Sequence, residues 1–123
     1  MIRGKVRDNE AIIRLRVFGP DAREIEIEAV LDTGYTASLT LPPSLIQSLR
    51  LVKTSAARGI LGDGSEFQYQ IFRAEIDWDG VRIELEIDEA DTEPLLGMQL
   101  LHGYEVKLQV RHNGKLTIKK LAR

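Results

Sequence analysis

The feature that most constrains the fold of this chain is a hydrophobic period of two that recurs along most of it. Ile13, Leu15 and Val17 alternate with Arg14 and Arg16, and Ile25, Ile27, Ala29 and Leu31 alternate with Glu24, Glu26 and Glu28. The same rhythm carries Val81, Ile83, Leu85 and Ile87 against Arg82, Glu84, Glu86 and Asp88, and Val106, Leu108 and Val110 against Lys107, Gln109 and Arg111. Successive side chains of a strand point to opposite faces, so each segment reads as a strand with one buried and one wet face. Asp79-Gly80 and Asn113-Gly114 suit two-residue hairpin turns, whose central positions both need positive φ. Gly19-Pro20-Asp21 separates the first pair of strands, and Asp63-Gly64 turns another hairpin. Helical signal is scarce. Pro42-Pro43-Ser44 opens a short helix with Leu45, Ile46 and Leu49 on one side. A second short helix is expected from Met98 to His102, with Gly103 as its left-handed stop. Neither a repeat nor a linker interrupts the pattern. The expectation is one all-β domain over residues 1–123, a sandwich or barrel with one or two short helices.

Composition narrows the chemistry. Lys and Arg total 17 against 19 Asp and Glu, a formal charge of −2. Phosphate binding normally leaves a basic excess, so no nucleic-acid partner is expected. The C-terminal cations Lys115, Lys119, Lys120 and Arg123 lack the interleaved aromatics of a nucleic-acid surface and read as a solubility feature. With no cysteine, the chain offers no disulfide, thiolate metal site or cysteine nucleophile. No apolar run exceeds three residues, so neither a membrane span nor a signal-peptide core is expected, and a reducing, cytoplasmic setting is the default. The acidic run from Glu84 to Glu93 lacks the glycine and terminal Glu of a calcium loop. His102 and His112 have no metal-ligand spacing. No metal and no cofactor is expected.

One segment carries chemistry. In Ala29-Val30-Leu31-Asp32-Thr33-Gly34 an apolar strand ends in a carboxylate, then a hydroxyl, then a glycine. A strand that buries Leu31 and then presents Asp32 holds a carboxylate at the edge of a core, where its pKa is tunable. Thr33 is placed to hydrogen-bond locally or to another chain, and Gly34 allows the backbone N–H to turn toward the carboxylate. An ordinary strand-ending turn has the same composition.

Val30 to Gly34, followed by Leu39-Thr40-Leu41-Pro42, resembles the active-site loop and next strand of the aspartic proteases, most of all the single-lobe retroviral-type (retropepsin-like) branch and its bacterial relatives. Two further pieces occur in the same order. Gly62-Asp63-Gly64-Ser65 resembles the turn of the flap hairpin that closes over substrate. Leu95-Leu96-Gly97, with Met98-Gln99-Leu100-Leu101 after it, resembles the apolar-apolar-Gly element and short helix that pack behind the active-site loop. The likeness spans about Ala29 to Leu101 and implies a retropepsin-like acid-protease barrel. Two residues depart from the pattern: Tyr35 replaces the small residue usual in the retroviral branch, and Ala37 stands where bacterial members commonly have glycine. Tyr35 either crowds the carboxylate or forms a wall of a substrate pocket.

The resemblance implies catalysis by two carboxylates that share a proton and activate water. The chain has a single Asp-Thr-Gly, so the pair must come from two copies, each donating Asp32. The implied function is an aspartic endopeptidase working as a homodimer. Asp32, Thr33 and Gly34 would form the catalytic loop, with Thr33 bonding across the interface. A peptide or protein substrate would lie extended beneath the flap, with Tyr35, Leu61, Gly62, Asp63, Gly64 and Ser65 as substrate-binding residues. The alternative is a non-catalytic peptide-binding or scaffolding homodimer on the same fold.

Overall fold

The computed structural model describes residues 1–122. In chain order its elements are β1 (Ile2–Arg7), β2 (Glu10–Phe18), β3 (Glu24–Leu31), β4 (Leu39–Leu41), α1 (Pro43–Leu49), β5 (Val52–Ile60), β6 (Glu66–Trp78), β7 (Val81–Glu89), β8 (Leu95–Leu96), α2 (Met98–Leu101), β9 (Tyr104–Leu108) and β10 (Lys115–Lys120). The period-two segments of β2, β3 and β7 become strands because they pair with their apolar faces in phase. Ile13, Leu15 and Val17 of β2 lie opposite Ala29, Ile27 and Ile25 of β3, while Arg14 and Arg16 on the wet face lie opposite Glu28 and Glu26. The last period-two segment does not bury a face as expected: Val106 and Leu108 of β9 are exposed, and Val110 lies beyond the strand.

The strands run in the order β5-β6-β7-β4-β8-β3-β2-β1-β10-β9. Val17 and Phe18 at the end of β2 also pair with Ile76 and Glu75 of β6, which closes β6, β7, β4, β8, β3 and β2 into a barrel. Its apolar faces meet in one core with Leu39, Leu41, Ile76, Ile87 and Leu96 at its centre, and α1 plugs into it through Ile46 and Leu49. Both helices fall where expected. Proline opens α1 and Arg50, at φ 52°, ends it; α2 stops before Gly103, at φ 87°. No helix among the described residues is long and apolar enough to cross a membrane.

The turns divide. Asp79-Gly80 joins β6 to β7 with both residues at positive φ, 51° and 81°, as its composition requires. Asn113-Gly114 does not form the two-residue turn expected of it. β9 ends at Leu108, short of Arg111, and only Asn113 of the pair has positive φ. Gly114 is needed for closeness instead: a Cβ there would lie 1.8 Å from the Gln109 carbonyl oxygen. The loop is therefore six residues long, between Leu108 and Lys115. Lys115, Lys119 and Lys120 lie in β10, paired with β1 and β9 rather than in a loose tail, and Arg123 falls outside the described residues.

Candidate active site

The site is built on the shortest strand. β8, only Leu95 and Leu96, pairs parallel with the end of β3 and antiparallel with β4. It thus ties both ends of the loop from Asp32 to Ser38. The Asp32 N–H donates to the Leu96 carbonyl at 2.9 Å, and the Gly97 N–H donates to that of Ser38, also at 2.9 Å. The N–H groups of Met98 and Gln99 reach the Tyr35 and Ala37 carbonyls at 2.8 and 3.2 Å. Gly97 has to be glycine, since a Cβ would meet the Ala37 oxygen at 2.2 Å and the Tyr35 ring at 2.6 Å. Buried Thr40 completes the frame by accepting a hydrogen bond from the Leu95 N–H at 2.9 Å. This is the physical content of the Leu-Leu-Gly motif: a backbone ledge under the carboxylate loop.

On that ledge Asp32 to Tyr35 form a tight turn. The Tyr35 N–H donates to the Asp32 carbonyl at 3.1 Å, and the Gly34 N–H donates to Asp32 Oδ1 at 2.9 Å. The carboxylate is therefore fixed by its own loop. Asp32 is half-buried, and Thr33 and Gly34 are exposed. A Cβ on Gly34 would meet only Asp32 Oδ1, at 3.3 Å, and Gly34 has no positive φ. The single chain has no strong steric need for glycine at this position.

Tyr35 turns its hydroxyl away from the turn, donating to Asp88 Oδ2 at 2.6 Å. Burial and the adjacent carboxylate push its pKa well above the ordinary tyrosine value. Sequence reasoning does not find Asp88 as part of this site. Alternation along β7 places it on the wet face, but β4 joins β7 at Ile87–Glu89 and Tyr35 reaches over it, leaving it half-buried.

Leu61, Gly62, Asp63, Gly64 and Ser65 lie together at the tip of the β5–β6 hairpin. β6 pairs with β7 only from Ile71 onward, whereas it pairs with β5 from Glu66. The rungs from Ile60–Glu66 to Ala56–Gln70 therefore project as a two-stranded ribbon. Asp63 Oδ1 accepts from the Ser65 N–H and Oγ at 2.9 and 2.6 Å, which holds its carboxyl below the usual range, and Gly64 takes φ 85°. Leu61 is half exposed, so it is no core leucine; Ile60 and Phe67 are exposed beside it. Gly59 lets the Phe67 ring lie across the ribbon, where a Cβ would meet it at 2.3 Å. Thr33 and Gly34 of the Asp32 loop and Leu61 to Ser65 of the ribbon tip are all exposed. Of the grooves of about 380 and 310 Å³ that flank β7, the larger is touched by Ser38 at the end of the Asp32 loop, and neither is lined by the ribbon tip.

No protein-family model matches the chain, and no curated protein matches it. Solved structures do. EIAV protease in complex with the inhibitor HBY-793 superposes with a TM-score of 0.56 at 21% identity, over 76% of this chain and 86% of that one. A retropepsin-like aspartic protease from Rickettsia conorii superposes with the same TM-score at 17% identity, over 100% of this chain and 91% of that one. The carboxylate loop, its ledge and the projecting hairpin therefore belong to an all-β, retropepsin-like fold with two short helices.

Proposed function

We propose that this chain supplies half of the active site of an aspartic endopeptidase, and that two copies related by a twofold axis bring their Asp32 carboxylates together. Like charges that close do not both ionise, so the pair holds one proton. The ionised carboxylate takes a proton from a water molecule, whose oxygen attacks the scissile carbonyl carbon, while the protonated carboxyl donates to the carbonyl oxygen. Collapse of the tetrahedral species breaks the C–N bond: the amine leaves with the proton that the base had taken, and the carboxyl that had donated regains its proton from a hydroxyl of the gem-diol as the new carbonyl forms. No covalent intermediate forms. The substrate would lie extended between the Asp32 loops and the β5–β6 ribbons, its backbone pairing with Gly62–Ser65 and its side chains alternating toward Tyr35 and Leu61.

The observation that carries this reading is the loop. It holds the half-buried Asp32 carboxylate by the Gly34 N–H and the Asp32 backbone N–H on the Leu96 carbonyl, then exposes a threonine and a glycine that the single chain does not strongly require. The retropepsin-like fold supports it.

The test is a peptide library digested from acidic to neutral pH by the native protein and by Asp32→Asn, with products read by mass spectrometry. The amide oxygen of the substituted side chain accepts the same bond from the Gly34 N–H, so the variant keeps its fold. Its rate is expected to fall by about 10²–10⁴-fold or more. Cleavage that survives the substitution overturns the mechanism. Peptide binding without cleavage by the native protein at every pH identifies a non-catalytic peptide-binding homodimer instead.

A further inference from the structure

β7 is paired with β6 along its length, from Val81 opposite Trp78 to Asp88 opposite Ile71, but its other edge meets β4 only at Ile87, Asp88 and Glu89. Among the described residues, Val81 to Glu86 have no strand on that side. The two-residue turn sets the phase. Trp78 and Val81 exchange hydrogen bonds, so Ile83 and Leu85 also bond toward β6, and the backbone groups of Arg82, Glu84 and Glu86 face the open edge. Along this edge runs the groove of about 380 Å³, lined by β7 from Ile83 to Glu86 and by Leu100, His102 and Tyr104. Trp78 also lines it, edge-on to Tyr104 with ring centroids 5.7 Å apart.

An unpaired strand edge beside a groove is a template for one more strand, and proteins usually cover or blunt such edges. The side chains specify which strand. Glu84 and Glu86 share the outer face and are exposed, and among the described residues Glu84 has only Arg73 as a loose ion-pair partner, at 3.9 Å between exposed groups. Leu85 between them turns to the other face and packs against the core. Residues added opposite Glu84 and Glu86 would stand beside carboxylates, and the residue between them would stand beside Leu85. Opposite-charge pairs across strands are favourable and like-charge pairs unfavourable.

We propose that the open edge of β7 is a docking site for an extended peptide segment of a partner protein with the pattern basic–apolar–basic, which adds to the sheet as a strand. The groove meets the loop that carries Asp32 only at Ser38, and docking there does not depend on catalysis.

Trp78 is the only tryptophan, so its fluorescence reports the groove directly. A short capped peptide centred on Lys-Leu-Lys is titrated into the native protein and, to exclude cleavage, into Asp32→Asn. A saturable change in Trp78 emission is expected. The double variant Glu84→Lys and Glu86→Lys, whose exposed positions leave the fold intact by circular dichroism, should weaken binding by about tenfold or more and should prefer the Glu-Leu-Glu peptide. N-methylation of the two flanking backbone amides should abolish binding by the native protein. Three results overturn the proposal: no saturable change up to millimolar peptide, a response indifferent to both charge reversal and N-methylation, or a Trp78 signal that follows protein concentration and excludes the peptide. The last would assign the edge to a second copy of the chain.

Discussion

The Tyr35 hydroxyl donates a 2.6 Å hydrogen bond to Asp88 across 53 positions of sequence, and so ties the Asp32 loop to β7. The tie places the bulky residue after Asp-Thr-Gly against the ledge at Gly97 and turns its polar end away from Asp32. Tyr35→Phe keeps the ring and removes the bond, leaving a half-buried carboxylate short of a donor. The expected loss is about 1–3 kcal/mol, read by chemical denaturation, with partial recovery on adding Asp88→Asn. Linkage adds a second signature. The raised Tyr35 pKa means the native state keeps a proton that the unfolded chain releases above about pH 10. Its contribution is fully present below that pH and declines above it. The alkaline loss of stability should be shallower in Tyr35→Phe, and an unchanged slope would show that the hydroxyl is not held as described.

Gly97 and Gly34 make a contrasting pair. Alanine at 97 drives a Cβ into the Ala37 carbonyl at 2.2 Å, a contact with backbone that cannot swing aside. Gly97→Ala should cost about 1–3 kcal/mol or more in thermal or chemical denaturation. Alanine at 34 meets only the Asp32 carboxylate at 3.3 Å and should cost less than about 1 kcal/mol. If Gly34 serves a second loop or a substrate, Gly34→Ala should nonetheless lose peptide cleavage. A variant as active as it is stable would show that nothing approaches this glycine.

How far these features can be read from sequence depends on where each strand gets its stability. β2, β3 and β7 bury one face in the barrel, so their alternation announces them, and the Pro-Pro and Gly103 punctuation announces the helices. β5 is solvated on both faces over most of its length because it leaves the barrel in the ribbon, and no alternation marks it. β8 is two residues held by neighbours on both sides. The Asp8-Asn9 turn between β1 and β2, with φ 51° and 63°, lacks the glycine that marks such turns. In the candidate site, Asp32 to Gly34 and the ribbon tip stand out as local motifs. Asp88 does not, because its role comes from a tyrosine 53 residues away.

The ribbon tip should respond to acid before the barrel does. Ser65 holds the Asp63 carboxyl below its usual range, so that bond favours the closed turn above the unfolded carboxylate value of about 3.9 and is lost as pH falls through the lower folded value. Asp63 is exposed, and the effect is local. Hydrogen exchange should show the Ser65 amide losing protection at acid pH while β2 and β3 keep theirs. Asp63→Ala should give that loss at neutral pH with little change in global melting temperature. A matching loss in the barrel would mean that ribbon and barrel open as one unit.

A two-chain active site also has an arithmetic consequence. If subunits exchange freely, equal amounts of native and Asp32→Asn chains leave about a quarter of all pairs with two Asp32 carboxylates, while about half carry only one. A proton-sharing pair needs both, so mixed pairs should be nearly inactive. Adding the variant to a fixed amount of native protein should therefore suppress peptide cleavage progressively, and diluting the native protein alone should lower its activity per chain. Cleavage that ignores added variant, under conditions where labelled subunits are seen to exchange, would place the whole reaction within one chain and reject the paired-carboxylate site.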